Sequence, residues 1–342
     1  MTEPKKFTDR IGDYLMPHIE EYIFDELSEG YLEKTGMKEL LLGVSVPIKK
    51  TELTGLTNLK IARNMADIIG CDINFRFRDN YIGYIITSFG KDFVKPLINE
   101  GVERAANKDF DHACICFRAA MLIDPESSDA LYCYARACKD SYESGEGEEY
   151  IGRYKAESLE SFEKLTLKEP DFDMGFYFLG YAYLNLGLYV KAKLTWNDFM
   201  RLSHDSDDGD KAKMRDEISE WLAKLEEPIK IEAAYNLVLS GKFAEGLDAL
   251  AKYADDERFN KWWPLWYYIG IAAERTGIIE DAEVSFKKVL ELSPSNTDAM
   301  NELVKLYQKT GDDVKANKYL SKIELVKQNA EAYKAEKNKS FS

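Results

Sequence analysis

Large apolar, small and aromatic residues recur along this chain in one fixed order, and their spacing is that of helices. The clearest copy consists of Phe176, Leu179, Gly180, Tyr183, Gly187, Tyr189, Ala192 and Trp196. Separations of three and four residues place apolar side chains on one helix face, and the glycine after Tyr183 breaks the helix before the pattern resumes. Each copy therefore predicts a hairpin of two helices. Further copies run from Trp266 to Pro294 and from Leu97 to Pro125.

Each predicted hairpin carries a small residue on both of its helices. Gly180 and Ala192 hold these positions in one copy, and Gly270 and Ala282 hold them in another. Small side chains let two helices approach closely. A single hairpin of about 34 residues cannot bury its apolar face alone, so the hairpins are expected to stack on one another.

The period and the order of small and large residues resemble the tetratricopeptide repeat family. The resemblance implies an all-α fold, namely a right-handed α-α superhelical solenoid of helix hairpins, and the residues before the repeats are expected to add an N-terminal helical subdomain. Six repeats fit within residues 94–330, and they begin at residues 94, 128, 173, 227, 263 and 297. The second repeat carries an acidic insertion near residues 140–150, and an extra helix is predicted near residues 210–226. Residues 331–342 are expected to form a polar C-terminal cap and tail.

Residues 1–93 lack the repeat and are expected to form a mostly helical subdomain. An apolar stripe with a period of four predicts a helix bent or broken at Pro17, and its members are Phe7, Ile11, Tyr14, Leu15, Ile19, Tyr22, Ile23 and Leu27. A second helix is predicted from Asn58 to Gly70, which is expected to end it. Residues 79–90 are apolar and rich in Tyr, and their pattern fits a helix or a strand.

The balance of charge narrows the classes of partner. The 342 residues contain 46 basic and 61 acidic side chains, which gives a formal net charge of −15 at pH 7. Nucleic acids and anionic membranes both attract basic residues, so we expect neither as a partner. The five cysteines do not suggest a disulfide framework, and the sequence contains no apolar run long enough to span a membrane, so a cytoplasmic protein is expected.

Residue patterns typical of catalysis or metal binding do not stand out. The three histidines, His18, His112 and His204, lie far apart in the sequence. His112 and Cys116 share a helix face, but the cysteines lack CxxC spacing, so buried free thiols are the simpler interpretation. The acidic run at residues 205–210 does not place ligands where an EF-hand needs them. We therefore predict no catalytic, cofactor-binding or metal-binding residues.

A concave surface is the remaining candidate site. In proteins of the family that this chain resembles, the first helix of each hairpin lines such a surface, and the matching positions here are rich in Tyr. Tyr offers a large contact area, and Arg136 can hold a carboxylate. By this resemblance the predicted peptide-binding groove consists of Tyr132, Arg136, Tyr177, Tyr181, Tyr235, Tyr267, Ile271 and Lys305.

The resulting hypothesis is a protein- or peptide-binding scaffold or adaptor that uses this aromatic face and has no chemistry of its own. Family members that bind chaperone C-termini carry a clamp of Lys and Asn, but Ile98, Val102 and Cys133 stand at the matching positions here, so that specialised function is not expected. The partner is a protein or peptide of unknown identity, and a homo-oligomer is compatible with the sequence.

Two alternative functions stay open. A peptide-responsive transcription regulator would use the locally basic segment 57–78 to bind DNA. An enzyme would need a pocket with a perturbed titratable group, and the most suitable place is between the N-terminal segment and the first repeats.

Overall fold

A computed structural model of the chain describes residues 7–51 and 56–340, apart from the side chains of residues 330 and 332–340. The chain divides between Ile218 and Ser219 into two compact units, which we call unit 1 and unit 2. The described residues form 18 α-helices and one two-stranded sheet. The predicted all-α fold of tetratricopeptide-like helix hairpins is confirmed, whereas the small sheet is an addition that the sequence pattern did not predict.

The region before the first hairpin consists of short elements in unit 1. They are α1 (Gly12–Leu15), a 3-10 helix (Met16–Glu21), β1 (Tyr22–Glu26), α2 (Glu29–Thr35), α3 (Lys38–Leu41), β2 (Ser45–Lys49), α4 (Asn58–Cys71), α5 (Arg78–Phe89) and a second 3-10 helix (Lys91–Phe93). Residues 79–90, which fitted either a helix or a strand, are therefore helical as far as Phe89.

The helix predicted along the N-terminal apolar stripe is confirmed only over residues 12–21, and it is wrong before Gly12 and beyond Glu21. Pro17 lies in the first turn of the 3-10 helix, and the chain then enters β1, which pairs antiparallel with β2 in a register that joins Tyr22 to Lys49. Aromatic and β-branched residues favour strands when a partner strand is available. That partner lies in a distant part of the sequence, so a local period of four could not reveal it.

Helix α4 confirms the prediction over residues 58–70, but its glycine has a different role. The helix continues through Gly70 to Cys71. A Cβ at Gly70 would overlap the backbone carbonyl of Ile115. Gly70 therefore permits close packing of two helices and does not end one.

Twelve helices form six consecutive pairs, one pair within each of the six predicted repeats. The pairs are α6 (Val94–Ala106) with α7 (Phe110–Ile123), α8 (Ser128–Ser144) with α9 (Glu148–Lys168), α10 (Asp173–Asn185) with α11 (Tyr189–Ser203), α13 (Glu226–Leu239) with α14 (Phe243–Ala251), α15 (Trp263–Thr276) with α16 (Ile279–Leu292), and α17 (Thr297–Thr310) with α18 (Asp313–Ser340). Of the predicted cap and tail, residues 331–340 continue α18, and residues 341 and 342 lie outside the described residues. An additional helix, α12 (Gly209–Lys224), follows the third pair.

Small residues let the two helices of a hairpin pack closely, as the sequence predicted. A Cβ at Gly180 would overlap the indole of Trp196, and a Cβ at Gly270 would lie 2.7 Å from Cε1 of Phe286. Ala192 and Ala282 are fully buried on the second helices. Each large ring therefore packs directly on the backbone of the facing helix.

The acidic insertion of the second repeat lengthens helices instead of forming a loop. Helix α8 has 17 residues and α9 has 21, and only residues 145–147 separate them. None of the helices in the described ranges combines the length and the apolarity needed to cross a lipid bilayer.

Candidate functional site

In unit 1, the predicted groove residues of the second repeat form an aromatic patch with an exposed cation. The guanidinium of Arg136 lies 5.0 Å from the ring centroid of Phe178 and 5.8 Å from that of Tyr132. Tyr132 also packs edge-on against Phe172 with 5.1 Å between centroids. Rings within about 6 Å attract a cation and orient it. We call Tyr132, Arg136 and Phe178 the Arg136 patch.

In the third repeat, the predicted groove residues lie under helix α12. The hydroxyl of Tyr177 donates a 2.9 Å hydrogen bond to Oε2 of Glu217, and the hydroxyl of Tyr181 donates to the other oxygen of the same carboxylate. Lys211, in the first turn of α12, forms an ion pair of 2.5 Å with the buried Asp173. Both tyrosine hydroxyls therefore already donate hydrogen bonds to a carboxylate of the same chain.

The pKa of Tyr177 reflects this contact. Burial, followed by the hydrogen bond to the Glu217 carboxylate, raises it to about 12. The same two causes raise the pKa of Tyr181 above its ordinary value. Both hydroxyls are consequently neutral hydrogen-bond donors at physiological pH.

In unit 2, the predicted residues Tyr235 and Tyr267 belong to a larger aromatic group on α13 and α15. Tyr235 stacks on Tyr268 with 4.9 Å between centroids, and Tyr267 lies 5.7 Å from Tyr268. Trp263 lies 6.4 Å from Tyr267 and is 37% exposed. Ile271, one turn after Tyr267, is half-buried. These rings leave an aromatic surface partly open to a ligand.

Helix α17 adds a carboxylate to this aromatic surface. Lys305 is exposed, and its ammonium lies 2.8 Å from Oε1 of Glu302. Glu302 is 8% exposed, and its second oxygen, Oε2, is buried and accepts no hydrogen bond from the described residues. Burial, followed by the charges of Glu302 and Asp298, raises the pKa of Tyr267 to about 12, so these groups are close neighbours.

Glu274 adds a second carboxylate oxygen of the same kind. Its Oε2 is buried without a hydrogen-bond partner among the described residues. Glu274 follows Tyr267 by seven residues on α15, which places both on one helix face. A buried carboxylate oxygen without a partner is costly, and a ligand cation would relieve that cost. We call Trp263, Tyr267, Ile271, Glu274 and Glu302 the α15–α17 face.

Two histidines that are far apart in sequence meet in unit 1. The ring centroids of His18 and His112 are 4.4 Å apart. Oε1 of Glu21 lies 3.3 Å from Nδ1 of His18 and 3.6 Å from Nε2 of His112. The remaining ring nitrogens face Asp111 at 3.8 Å and Asp109 at 2.8 Å. Sequence spacing could not predict this cluster, because the 3-10 helix supplies His18 and α7 supplies His112.

This histidine cluster lines a small cavity of about 40 Å³ between the N-terminal segment, α4, α6 and α7. The half-buried carboxyl of Asp67 accepts a 2.7 Å hydrogen bond from Tyr22 at this cavity, and desolvation raises the pKa of Asp67. The hydrogen bonds to Asp111 and then Glu21 raise the pKa of His18 against an opposing effect of burial. The cavity lies where an enzyme pocket was expected, but its volume suits an ion or a water molecule and not an organic substrate.

Helix α4, which lies within the basic segment considered for DNA binding, is mostly buried. Nine of the 14 residues of α4 are buried, among them Ile61, Met65 and Ile69. Arg63 forms an ion pair with Glu100 of α6. A recognition helix needs an exposed face that can enter the major groove. Helix α4 supplies its apolar face to the core of unit 1.

The sequence match to known proteins lies in unit 2. Residues 277–338 match the family described as tetratricopeptide repeat. No curated protein matches the chain.

Solved structures of tetratricopeptide repeat (TPR) proteins resemble the chain at low sequence identity. The TPR domain of P58(IPK) is 18% identical, over 70% of this chain and 63% of that chain, with a TM-score of 0.44. YrrB, a TPR protein with an unusual peptide-binding site, is 17% identical over 64% of this chain and 97% of its own, with a TM-score of 0.26. TTC0263, a thermophilic TPR protein of Thermus thermophilus, is 17% identical over 63% of this chain and 99% of its own, with a TM-score of 0.28.

The tetratricopeptide repeat segment contains part of the α15–α17 face. Glu302 lies within residues 277–338, as does its ion-pair partner Lys305, whereas the members of the face on α15 precede these residues. The family resemblance predicted Tyr267, Ile271 and Lys305 as groove residues but not Glu302, since no charge pattern in the sequence marks Glu302 as buried. It likewise omitted Phe178, which follows Tyr177 directly, and Glu217, which lies outside the tetratricopeptide repeats.

Proposed function

We propose that this chain is a protein-binding scaffold of the tetratricopeptide repeat type, without catalytic chemistry of its own, that binds a basic segment of its partner on the α15–α17 face. The observation that carries the proposal is the buried Oε2 of Glu302, which lacks a hydrogen-bond donor among the described residues. A ligand Lys or Arg can supply that donor when it displaces the exposed Lys305 and the Glu302 side chain turns outward, since Oε2 is covered in this conformation. Charge-assisted hydrogen bonds of this kind are among the strongest that proteins form.

The aromatic rings beside Glu302 support the choice of a basic side chain. The apolar stem of a Lys or Arg packs on Tyr267, while its charged head approaches the neighbouring carboxylate of Glu302. Aromatic rings attract such cations and exclude water from the contact. The net charge of −15 draws basic partners toward the chain at long range and repels nucleic acids.

The Arg136 patch supports a second contact within the same function. An exposed guanidinium held against Tyr132 and Phe178 is available to an acidic group of the partner. The tyrosines of the third repeat are engaged by Glu217, so we assign them no direct contact with the partner. We place the scaffold in the cytoplasm, where its five cysteines, all free in the structure, stay reduced.

Selection from a random-sequence peptide library on the immobilised full chain tests this proposal. We expect the enriched peptides to share a Lys or Arg beside an apolar or aromatic residue. Glu302→Gln, which keeps the shape of the side chain and removes its charge, should abolish the enrichment. Glu291→Gln is the matched control, because Glu291 is an exposed carboxylate paired with Lys288 on α16. Enrichment of acidic peptides, or equal enrichment by wild type and Glu302→Gln, would refute the assignment.

A further inference from the structure

We propose that His18, Glu21 and His112 bind a divalent transition-metal ion of the Zn²⁺ class. The ligand atoms of these three side chains all lie within 4.8 Å of one another. Two imidazoles and one carboxylate form a donor set that zinc sites use, often with a water molecule as the fourth ligand.

The distances within the cluster fit such an ion. With metal–ligand bonds of about 2.0–2.1 Å and tetrahedral angles, neighbouring ligand atoms lie about 3.3 Å apart. Oε1 of Glu21 is 3.3 Å from Nδ1 of His18 and 3.6 Å from Nε2 of His112. Only small side-chain movements are needed for all three atoms to reach one ion.

The second nitrogen of each histidine faces a carboxylate, as in many metal sites. Nδ1 of His112 lies 2.8 Å from Oδ1 of Asp109, and Nε2 of His18 lies 3.8 Å from Oδ2 of Asp111. Such carboxylates fix the ring orientation and direct the other nitrogen toward the metal. The second oxygen of Glu21 is held by Lys49 at 3.3 Å, which leaves its Oε1 for the ion.

The surroundings give an ion both room and access. The adjoining cavity of about 40 Å³ is large enough for an ion with one bound water molecule. The side chains of His18 and His112 are 26% and 29% exposed, so an ion can enter without unfolding of the unit.

Metal binding at this place would tie the N-terminal segment to the first hairpin. His18 and Glu21 lie on the 3-10 helix, and His112 lies on α7. Because the ion binds residues of both elements only in the folded state, it stabilises unit 1 by an amount that rises with the logarithm of its concentration. This site is independent of the peptide-binding face of unit 2.

Titration of the full chain, freed of metal by a chelator, with Zn²⁺ in an isothermal calorimeter tests the site. We expect one equivalent of Zn²⁺ to bind. His18→Ala and His112→Ala should each weaken binding by more than about 100-fold, and Asp109→Asn, which changes a positioning residue, by about 10–100-fold. His204→Ala is the matched control with no expected effect, since His204 is an exposed histidine beside Asp205. Unchanged Zn²⁺ affinity in His18→Ala and His112→Ala would overturn the proposal.

Cobalt spectroscopy of the wild-type chain keeps the test decisive even where a variant fails to fold. Co²⁺ at this site should show the visible bands of four-coordinate nitrogen and oxygen ligation. Thiolate-to-cobalt charge-transfer bands would assign the ion to the cysteines and overturn the proposal. The absence of any Co²⁺ or Zn²⁺ binding would do the same.

Discussion

The hydroxyl of Tyr177 donates a 2.9 Å hydrogen bond to Oε2 of Glu217, and this contact joins the third hairpin to the extra helix α12. Tyr177 is buried, whereas Glu217 lies on an exposed helix surface. A position that the repeat pattern assigns to ligand binding is thus satisfied from within the chain. Any partner that uses Tyr177 or Tyr181 must first displace α12.

A double-mutant cycle measures this internal contact. We expect Tyr177→Phe and Glu217→Gln each to lower the free energy of unfolding, with a coupling energy of about 1 kcal/mol, because a hydrogen bond to a partly exposed carboxylate is weakened by solvent. Urea denaturation of the two single variants and the double variant gives the coupling. Additive effects would show that the Glu217 contact contributes nothing.

The close packing of glycine and tryptophan in the third hairpin makes a prediction with an internal control. Gly180→Ala should destabilise the chain by about 1–3 kcal/mol, because the added methyl group overlaps Trp196. Gly152→Ala should instead stabilise it by about 0.5–1 kcal/mol, since nothing lies within 4 Å of the new Cβ and Ala favours the helix. Thermal or chemical denaturation of both variants measures these changes in the free energy of unfolding. Equal effects of the two substitutions would contradict the packing described.

Buried tyrosines predict a loss of stability at high pH. Burial, with the neighbouring Glu217, raises the pKa of Tyr177 from 10.0 to about 12, and burial raises that of Tyr150 to about 12 as well. A raised folded-state pKa stabilises the protein fully below pH 10, and this contribution is lost as the pH rises from 10 to 12. Urea denaturation at several pH values should show this decline. Tyrosine absorbance should titrate later in the native chain than in the denatured chain.

The repeat hairpins were predictable because their signal is local. Gly180 and Trp196 lie on the two helices of a single hairpin. Their spacing in the sequence therefore predicts that the Trp196 ring packs against the backbone at Gly180. The pairing of β1 with β2 and the meeting of His18 with His112 join segments that are distant in sequence. Those contacts depend on the folded core, so no local period encodes them.

The candidate site was predictable only in outline. The repeat frame located Tyr267 and Lys305, because the first helix of each hairpin has a fixed orientation. It could not state that Glu302 is buried or that α12 lies over Tyr181, since α12 interrupts the repeats. Burial of a charged side chain is decided by its neighbours and not by its own position in the period.

We expect the carboxylate of Glu302 to favour binding of a basic peptide while it lowers the stability of the folded chain. Replacement by Gln removes a buried charge with one unsatisfied oxygen and loses only an ion pair to the exposed Lys305. Surface ion pairs contribute about 0–1 kcal/mol. We therefore expect Glu302→Gln to leave the melting temperature unchanged or to raise it, while binding of a basic peptide weakens. A fall of several degrees with unchanged peptide binding would assign Glu302 a purely structural role.

The most direct test of the proposed function is the coupling between Glu302 and the basic residue of a selected peptide. Fluorescence anisotropy would measure the affinity of the wild-type chain and of Glu302→Gln for the peptide and for its Lys-to-norleucine analogue. The account predicts a coupling energy of about 1.5–3 kcal/mol, the usual range for a hydrogen bond to a charged group. A coupling energy of zero, with the wild-type chain binding both peptides equally, would contradict it.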